Sequence, residues 1–226
     1  MSPDINNFKT QIKTDIEKSG WNDILNPFID SKAFEDVFNS LVSLVDNDQR
    51  FTPPFKDVFN AFKECNYNDL KVVIVGQDPY PQIGSADGLA FSCSKKGKAE
   101  KSLQYIFKAL EDEDGDVDLR RWANQGVLLI NTALTVEINK IGSHFWHWKP
   151  FTEYLFYTLN KENKDIIFIL MGKKAEAWQL LLSNHKLLKC SHPASAAYRG
   201  GIWDSNDVFN KANEELKIQN KALISW

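Results

Sequence analysis

Four short apolar runs, set far apart, limit what this chain can fold into: "KVVIV" at 71–75, "VLLIN" at 127–131, "IIFILMG" at 166–172 and "HKLLKCS" at 185–191. Runs of this length, rich in β-branched and aliphatic residues, suit strands covered on both faces. The stretches between the first three repeat their apolar residues at helical spacing. "AEKSLQYIFKALEDE" places Leu103, Ile106, Phe107 and Leu110 on one face, and "KPFTEYLFYTLNKE" does the same with Phe151, Leu155, Phe156 and Leu159. "KKAEAWQLLLSN" reads as a short third helix, "FEDVFNSLVSLVDND" and the region before Leu70 as helices packed around the sheet, and "SNDVFNKANEELKIQ" as a last one. Strands that alternate with helices build parallel βαβ units. The expected fold is therefore α/β, a three-layer α/β/α arrangement with a central four-stranded, mainly parallel twisted sheet flanked by helices. No repeat, low-complexity tract or long linker divides the 226 residues, so a single domain over 1–226 is expected.

Such a sheet binds ligands outside the carboxyl ends of its strands. The four expected exits are Gln77-Asp78-Pro79-Tyr80, Asn131-Thr132, Gly172-Lys173-Lys174 and Ser191-His192-Pro193. Taken singly, each has a dull reading: a loop that merely leaves the sheet, an Asn that caps a turn, a satisfied core histidine. Phe91, which ends "GLAF", could be plain core. Together, an acid, an amide and an imidazole at one rim read as a site.

Composition narrows the chemistry. Hydrophobic residues make up 43 % and charged residues 25 %, the balance of a folded soluble protein. A net charge of −3 argues against a surface coated in positive charge, but leaves room for a local basic face. Cys65, Cys93 and Cys190 are scattered, without C-x-x-C spacing, which points to reduced thiols and to neither an iron–sulfur nor a zinc site. His144 and His147 stand three apart with no carboxylate or cysteine at ligand spacing, and read as a wet, partly aromatic loop. "MSPDINNFKTQIKTDIEKSG" does not have the build of a signal peptide, and no apolar stretch approaches bilayer-spanning length. The expectation is a cytoplasmic protein that does not enter membranes. No G-x-G-x-x-G or G-x-x-x-x-G-K-[ST] follows a strand, which counts against a generic nucleotide-binding enzyme.

At the strand exits the sequence resembles the large, metal-free family of uracil-DNA glycosylases. "GQDPYP" at 76–81 resembles the family's water-activating motif and "GLAFS" at 88–92 its base-stacking segment. "WANQGVLLINTALTV" at 122–136 is similar to its uracil-recognition strand, and "HPASAAYRG" at 192–200 to its DNA-penetrating loop. The resemblance implies a monofunctional glycosylase of base excision repair that flips uracil out of DNA and uses no metal or cofactor. It implies catalytic roles for Asp78 and His192, and uracil-binding roles for Gln77, Tyr80, Phe91 and Asn131. It implies DNA contacts by Ser102, Lys173, Ser195, Tyr198 and Arg199. The implied partners are uracil-containing DNA, single- or double-stranded, and a proteinaceous DNA-mimic inhibitor; the implied state is a monomer.

Three departures from the family pattern touch DNA handling and spare the chemistry. The penetrating loop is one residue shorter, with Ala194-Ser195-Ala196-Ala197 where a proline and a bulky aliphatic wedge are expected. Tyr198 is the nearest large group; it could swing forward as the wedge or pack inward. Gly172-Lys173 replaces a Gly-Ser, and Asp87 stands where a histidine is common.

Overall fold

The computed structural model describes residues 4–112, 115–162, 165–198 and 200–226, with the side chains of 197 and 198 excepted. Helices come first: α1 (Ile5–Lys18), α2 (Asn22–Ile29) and α3 (Lys32–Asp46). Asp4 and Ser31 cap α1 and α3 by accepting from the backbone N–H of Asn7 and Phe34. Then follow β1 (Phe51–Thr52), α4 (Asn60–Glu64), β2 (Val72–Gly76), α5 (Lys101–Leu110), α6 (Arg120–Ala123), β3 (Val127–Asn131), β4 (Val136–Glu137) and α7 (Phe145–Lys161). β5 (Ile167–Met171), α8 (Lys173–Glu176), β6 (Lys186–Cys190) and α9 (Val208–Ile218) complete the order.

β2, β3, β5 and β6 form one four-stranded sheet in the order β3-β2-β5-β6, parallel at every pairing. Every residue of β2, β3 and β5 is buried, as their unbroken apolar composition requires, whereas the edge strand β6 is half-buried. Because the strands run the same way, Gly76, Asn131, Met171 and Cys190 all end at one edge. Helices cover the sheet, and Trp21, Trp122 and Trp148 are fully buried in one apolar cluster running from Ile12 to Ile224.

Three local readings differ from the sequence expectation. The stretch expected as a third helix divides into α8 and a separate 3-10 turn at Gln179–Leu182. Helix α7 begins at Phe145, ahead of "KPF", and carries Pro150 inside it. The early turn is held by Trp148, which is buried and donates its indole N–H to Thr135 Oγ1 at 2.7 Å. A two-stranded antiparallel ribbon of β1 and β4, pairing Phe51 with Glu137 and Thr52 with Val136, had no period-2 signal to announce it.

Candidate active site

The chain leaving β2 enters a cavity of about 250 Å³ lined by Gln77, Asp78, Tyr80, Phe91, Ser102 and His192. Asp78 Oδ2 accepts from Gln77 Nε2 at 2.7 Å and from the backbone N–H of Gly142 at 3.0 Å. Its other oxygen, Oδ1, is buried with no hydrogen-bond partner among the described residues. One side of the carboxylate is thus clamped and the other has lone pairs to offer a ligand. Burial raises the Asp78 pKa above its ordinary value, and the bonds from Gln77 and Gly142, with the nearby charge of Lys174, pull against that rise.

His192 leaves β6 at the same edge. Its Nδ1 lies 3.2 Å from the backbone N–H of Ala194, which can only donate. Nδ1 is therefore the acceptor, and a neutral imidazole carries its proton on Nε2. Burial lowers the His192 pKa and so favours the neutral ring. Gly172, with φ of +90°, gives this ring its place: a Cβ there would come within 2.8 Å of His192 Cβ.

The Phe91 ring centroid lies 5.9 Å from that of His192. Phe91 has φ of +66°, a left-handed conformation that costs a non-glycine residue roughly 1–2 kcal/mol. Two restraints hold it there. Tyr80 donates its hydroxyl to Phe91 O at 2.9 Å, and the flanking chain is clamped by Asp87. The Asp87 carboxylate is fully buried and accepts from Leu89 N, Ser92 Oγ, Ser94 N and Ser94 Oγ, with Arg120 Nη1 3.8 Å away. The residue that departs from the family pattern is the anchor of the segment that carries Phe91.

Asn131 ends β3 directly opposite Gly76. Its side-chain amide makes no hydrogen bond among the described residues and is 9 % exposed. A Cβ built on Gly76 would lie 2.3 Å from Asn131 Oδ1 and 3.4 Å from the Phe91 ring. The amide therefore crosses the last residue of β2 and approaches the edge of Phe91. The structure gathers Gln77, Asp78, Tyr80, Phe91 and His192 around the cavity, and sets Asn131 at the same sheet edge beside Gly76, outside the residues that line the cavity.

The expected DNA contacts are less uniform. Ser102 is buried in the first turn of α5 and lines the cavity, and Lys173 is exposed in the first turn of α8. Ser195 lies on the 3-10 turn Pro193–Tyr198, its Oγ buried without a partner among the described residues. Ala196 is fully buried and turned into the core, which removes it as a penetrating group. Arg199 and the side chain of Tyr198 lie outside the described residues.

Sequence reasoning missed the Gly142 N–H and the anchoring role of Asp87. Lys174 had only its place after β5 to mark it. The histidine pair is also corrected. His144 is 2 % exposed, not wet, and its Nδ1 lies 2.9 Å from Thr135 Oγ1. Burial and the neighbouring His147 push its pKa down to about 4. Among the described residues no group of three or more His, Cys, Asp and Glu is placed to hold a metal ion.

A family model described as the uracil DNA glycosylase superfamily matches residues 62–217. The chain belongs to the uracil-DNA glycosylases. It is 38 % identical over 228 residues to uracil-DNA glycosylase of Borreliella burgdorferi, with 95 % of this chain and all of the relative covered. The enzyme of Campylobacter jejuni is 36 % identical over 214 residues, covering 91 % and 92 %. Crystalline mimivirus uracil-DNA glycosylase superposes with a TM-score of 0.85 at 28 % identity, covering 98 % of this chain and 91 % of that one. A mimivirus variant solved in complex with UGI superposes with a TM-score of 0.80 at 29 % identity, covering 91 % and 87 %. Family and fold agree with uracil excision in base excision repair, a glycosidase activity.

Proposed function

We propose that the chain draws uracil out of a DNA strand into the 250 Å³ cavity and hydrolyses its N-glycosidic bond there. The C1′–N1 bond breaks with its electron pair passing to uracil, which leaves as an anion, while the sugar gains oxocarbenium character. Asp78 stabilises that cation and orients, through Oδ1, the water whose oxygen bonds to C1′; the water's O–H bond breaks as its proton passes to the Asp78 carboxylate, and the uracil anion takes up a proton on release. His192 donates Nε2–H to the uracil carbonyl oxygen on which negative charge grows, an electrostatic contribution commonly among the largest in catalysis. Asn131 accepts from N3–H and donates to O4; cytosine presents the opposite pattern and leaves both groups unpaired. Phe91 stacks on the base, Gln77 lines the pocket and holds Asp78, and Tyr80 fills the space where thymine has its methyl group.

The observation that carries this reading is the asymmetric carboxylate of Asp78, clamped on Oδ2 and open on Oδ1 beside a neutral imidazole. Ser102, Lys173, Ser195, Tyr198 and Arg199 grip the backbone of single- or double-stranded DNA, and flipping exposes the base that a duplex hides. The structural likeness to a mimivirus protein bound to UGI supports recognition by a proteinaceous DNA-mimic inhibitor. Three buried cysteines, none in a disulfide among the described residues, suit a reducing compartment such as the cytoplasm, and one continuous core suits a single, monomeric domain over 1–226.

The test is excision from matched uracil- and thymine-containing oligonucleotides, read by alkaline cleavage. The wild type should cut only at uracil, and Asp78→Asn should bind DNA while losing several orders of magnitude in rate. A single-turnover rate above about a tenth of wild type, a loss below ~1.4 kcal/mol, would rule out the role given to Asp78.

A further inference from the structure

A second, larger concavity of about 690 Å³ lies beside the catalytic cavity, and Ala86 lines both. Half-buried Phe51 and Phe55 contribute its aromatic surface, their rings edge to face with centroids 5.1 Å apart. Ile83, 71 % exposed, lines the groove and follows in sequence Tyr80 and Pro81, which line the catalytic cavity. Arg50, Lys56 and Lys95 line the groove against one lining carboxylate, Asp48. Lys95 is paired with Asp57, but Arg50 and Lys56 have no ion pair among the described residues. Two unneutralised cations beside exposed apolar surface are unexpected on a chain with a net charge of −3.

The groove is tied mechanically to the chemistry. Ile138 N–H donates to Arg50 O at 3.0 Å and Asn139 N–H to Pro81 O at 3.1 Å, so one turn joins the groove to the chain that carries Asp78. Three residues further on, Gly142 N–H reaches the Asp78 carboxylate itself. A polymer threaded through the catalytic cavity must continue somewhere along this face. The groove offers what a single strand needs, aromatic and aliphatic surface for bases and cations for phosphates, with little to read a sequence.

We propose that this groove holds the DNA strand that carries the uracil, from the second nucleotide beyond the extruded base onward. Flanking bases rest on Phe51, Phe55 and Ile83, and Arg50 and Lys56 neutralise the adjoining phosphates. The inference rests on the glycosylase reading and adds a binding subsite to it. The cations are supplied locally because the protein's overall charge repels DNA.

The test uses the whole chain and single-stranded substrates: a trinucleotide with uracil at its centre, and the same trinucleotide extended by ten nucleotides on the 5′ or the 3′ side alone. Wild type should show a lower KM for one of the two extended substrates than for the trinucleotide. Arg50→Glu with Lys56→Glu should raise that KM about tenfold or more and leave kcat/KM on the trinucleotide within about twofold. Arg50→Gln with Lys56→Gln should flatten the salt dependence of log KM by about 0.7 per lost phosphate contact. Both pairs keep the fold, since it is the Arg50 backbone, not its side chain, that bonds Ile138. Equal losses on short and long substrates, or none on any, would overturn the subsite. Unchanged kinetics with lost affinity for polyglutamate would reassign the groove to an acidic polypeptide and equally overturn it. A wild type inactive on every uracil substrate would instead remove the glycosylase reading.

Discussion

Gly76→Ala displaces the Asn131 amide, the proposed reader of uracil, without replacing it. Gly76 is the last residue of β2, and its φ lies outside the left-handed region, so alanine meets no backbone penalty there. The new Cβ would stand 2.3 Å from Asn131 Oδ1, where real Cβ contacts tolerate about 3.0 Å. The nearest Phe91 ring atoms, at 3.4 Å, are in ordinary contact and need not move. Relief must therefore come from the amide, which has to retreat by about 0.7 Å, the difference of those two distances. An amide so displaced cannot meet N3–H and O4 together, and each bond left unmade in a buried site costs about 1–3 kcal/mol. With one bond lost and the other weakened, a loss of about 2–4 kcal/mol is expected. That corresponds to roughly 30- to 1,000-fold in kcat/KM on uracil DNA. The assay is single-turnover excision, paired with thermal unfolding, where a shift of no more than ~4 °C is expected for a domain of this size. The decisive comparison is a double-mutant cycle with Asn131→Ala, which removes the atom that is struck. The double variant should be no worse than Asn131→Ala alone. A single variant within threefold of wild type, or losses that simply add, would refute the placement of Asn131 across Gly76.

The remaining expectations concern protonation, base choice and strand separation. The raised pKa of Asp78 means that its active, ionised form is lost as pH falls, earlier than for an ordinary carboxylate. The lowered pKa of His192 keeps its ring neutral below the ordinary 6.5. kcat/KM should then stay flat on descending through pH 6.5 and fall only in the more acidic range; an inflection at or above 6.5 would contradict the neutral His192. Asn131→Asp should lose uracil activity and gain weak cytosine excision, and Tyr80→Ala should admit thymine; unchanged selectivity in both would sink the pocket assignment. With Ala196 buried, Tyr198 is the wedge to test. If it penetrates, Tyr198→Ala should lower excision from duplex far more than from single strands, because only a duplex has stacking to break. Equal effects on both would assign penetration to another residue.

The sequence by itself determined the sheet and which side chains stand at its carboxyl edge. Unbroken apolar runs such as "VVIV" and "VLLI" can only be buried on both faces, and parallel strands end at one edge, so Asp78, Asn131 and His192 had to share a rim. What it could not determine are contacts made across long separations by groups with no side-chain signature. The Gly142 N–H lies 64 residues from the Asp78 it clamps, and a backbone donor looks the same at every position. The tautomer of His192 depends on where the Ala194 N–H points, which is turn geometry. Asp87 was visible as an odd residue, yet its role needed Ser92, Ser94 and Arg120 to be folded around it. Local pattern decides which residues are buried and where strands end. Which donor meets which acceptor is decided by tertiary packing, because a hydrogen bond needs its partners within about 3 Å and no periodicity encodes that distance.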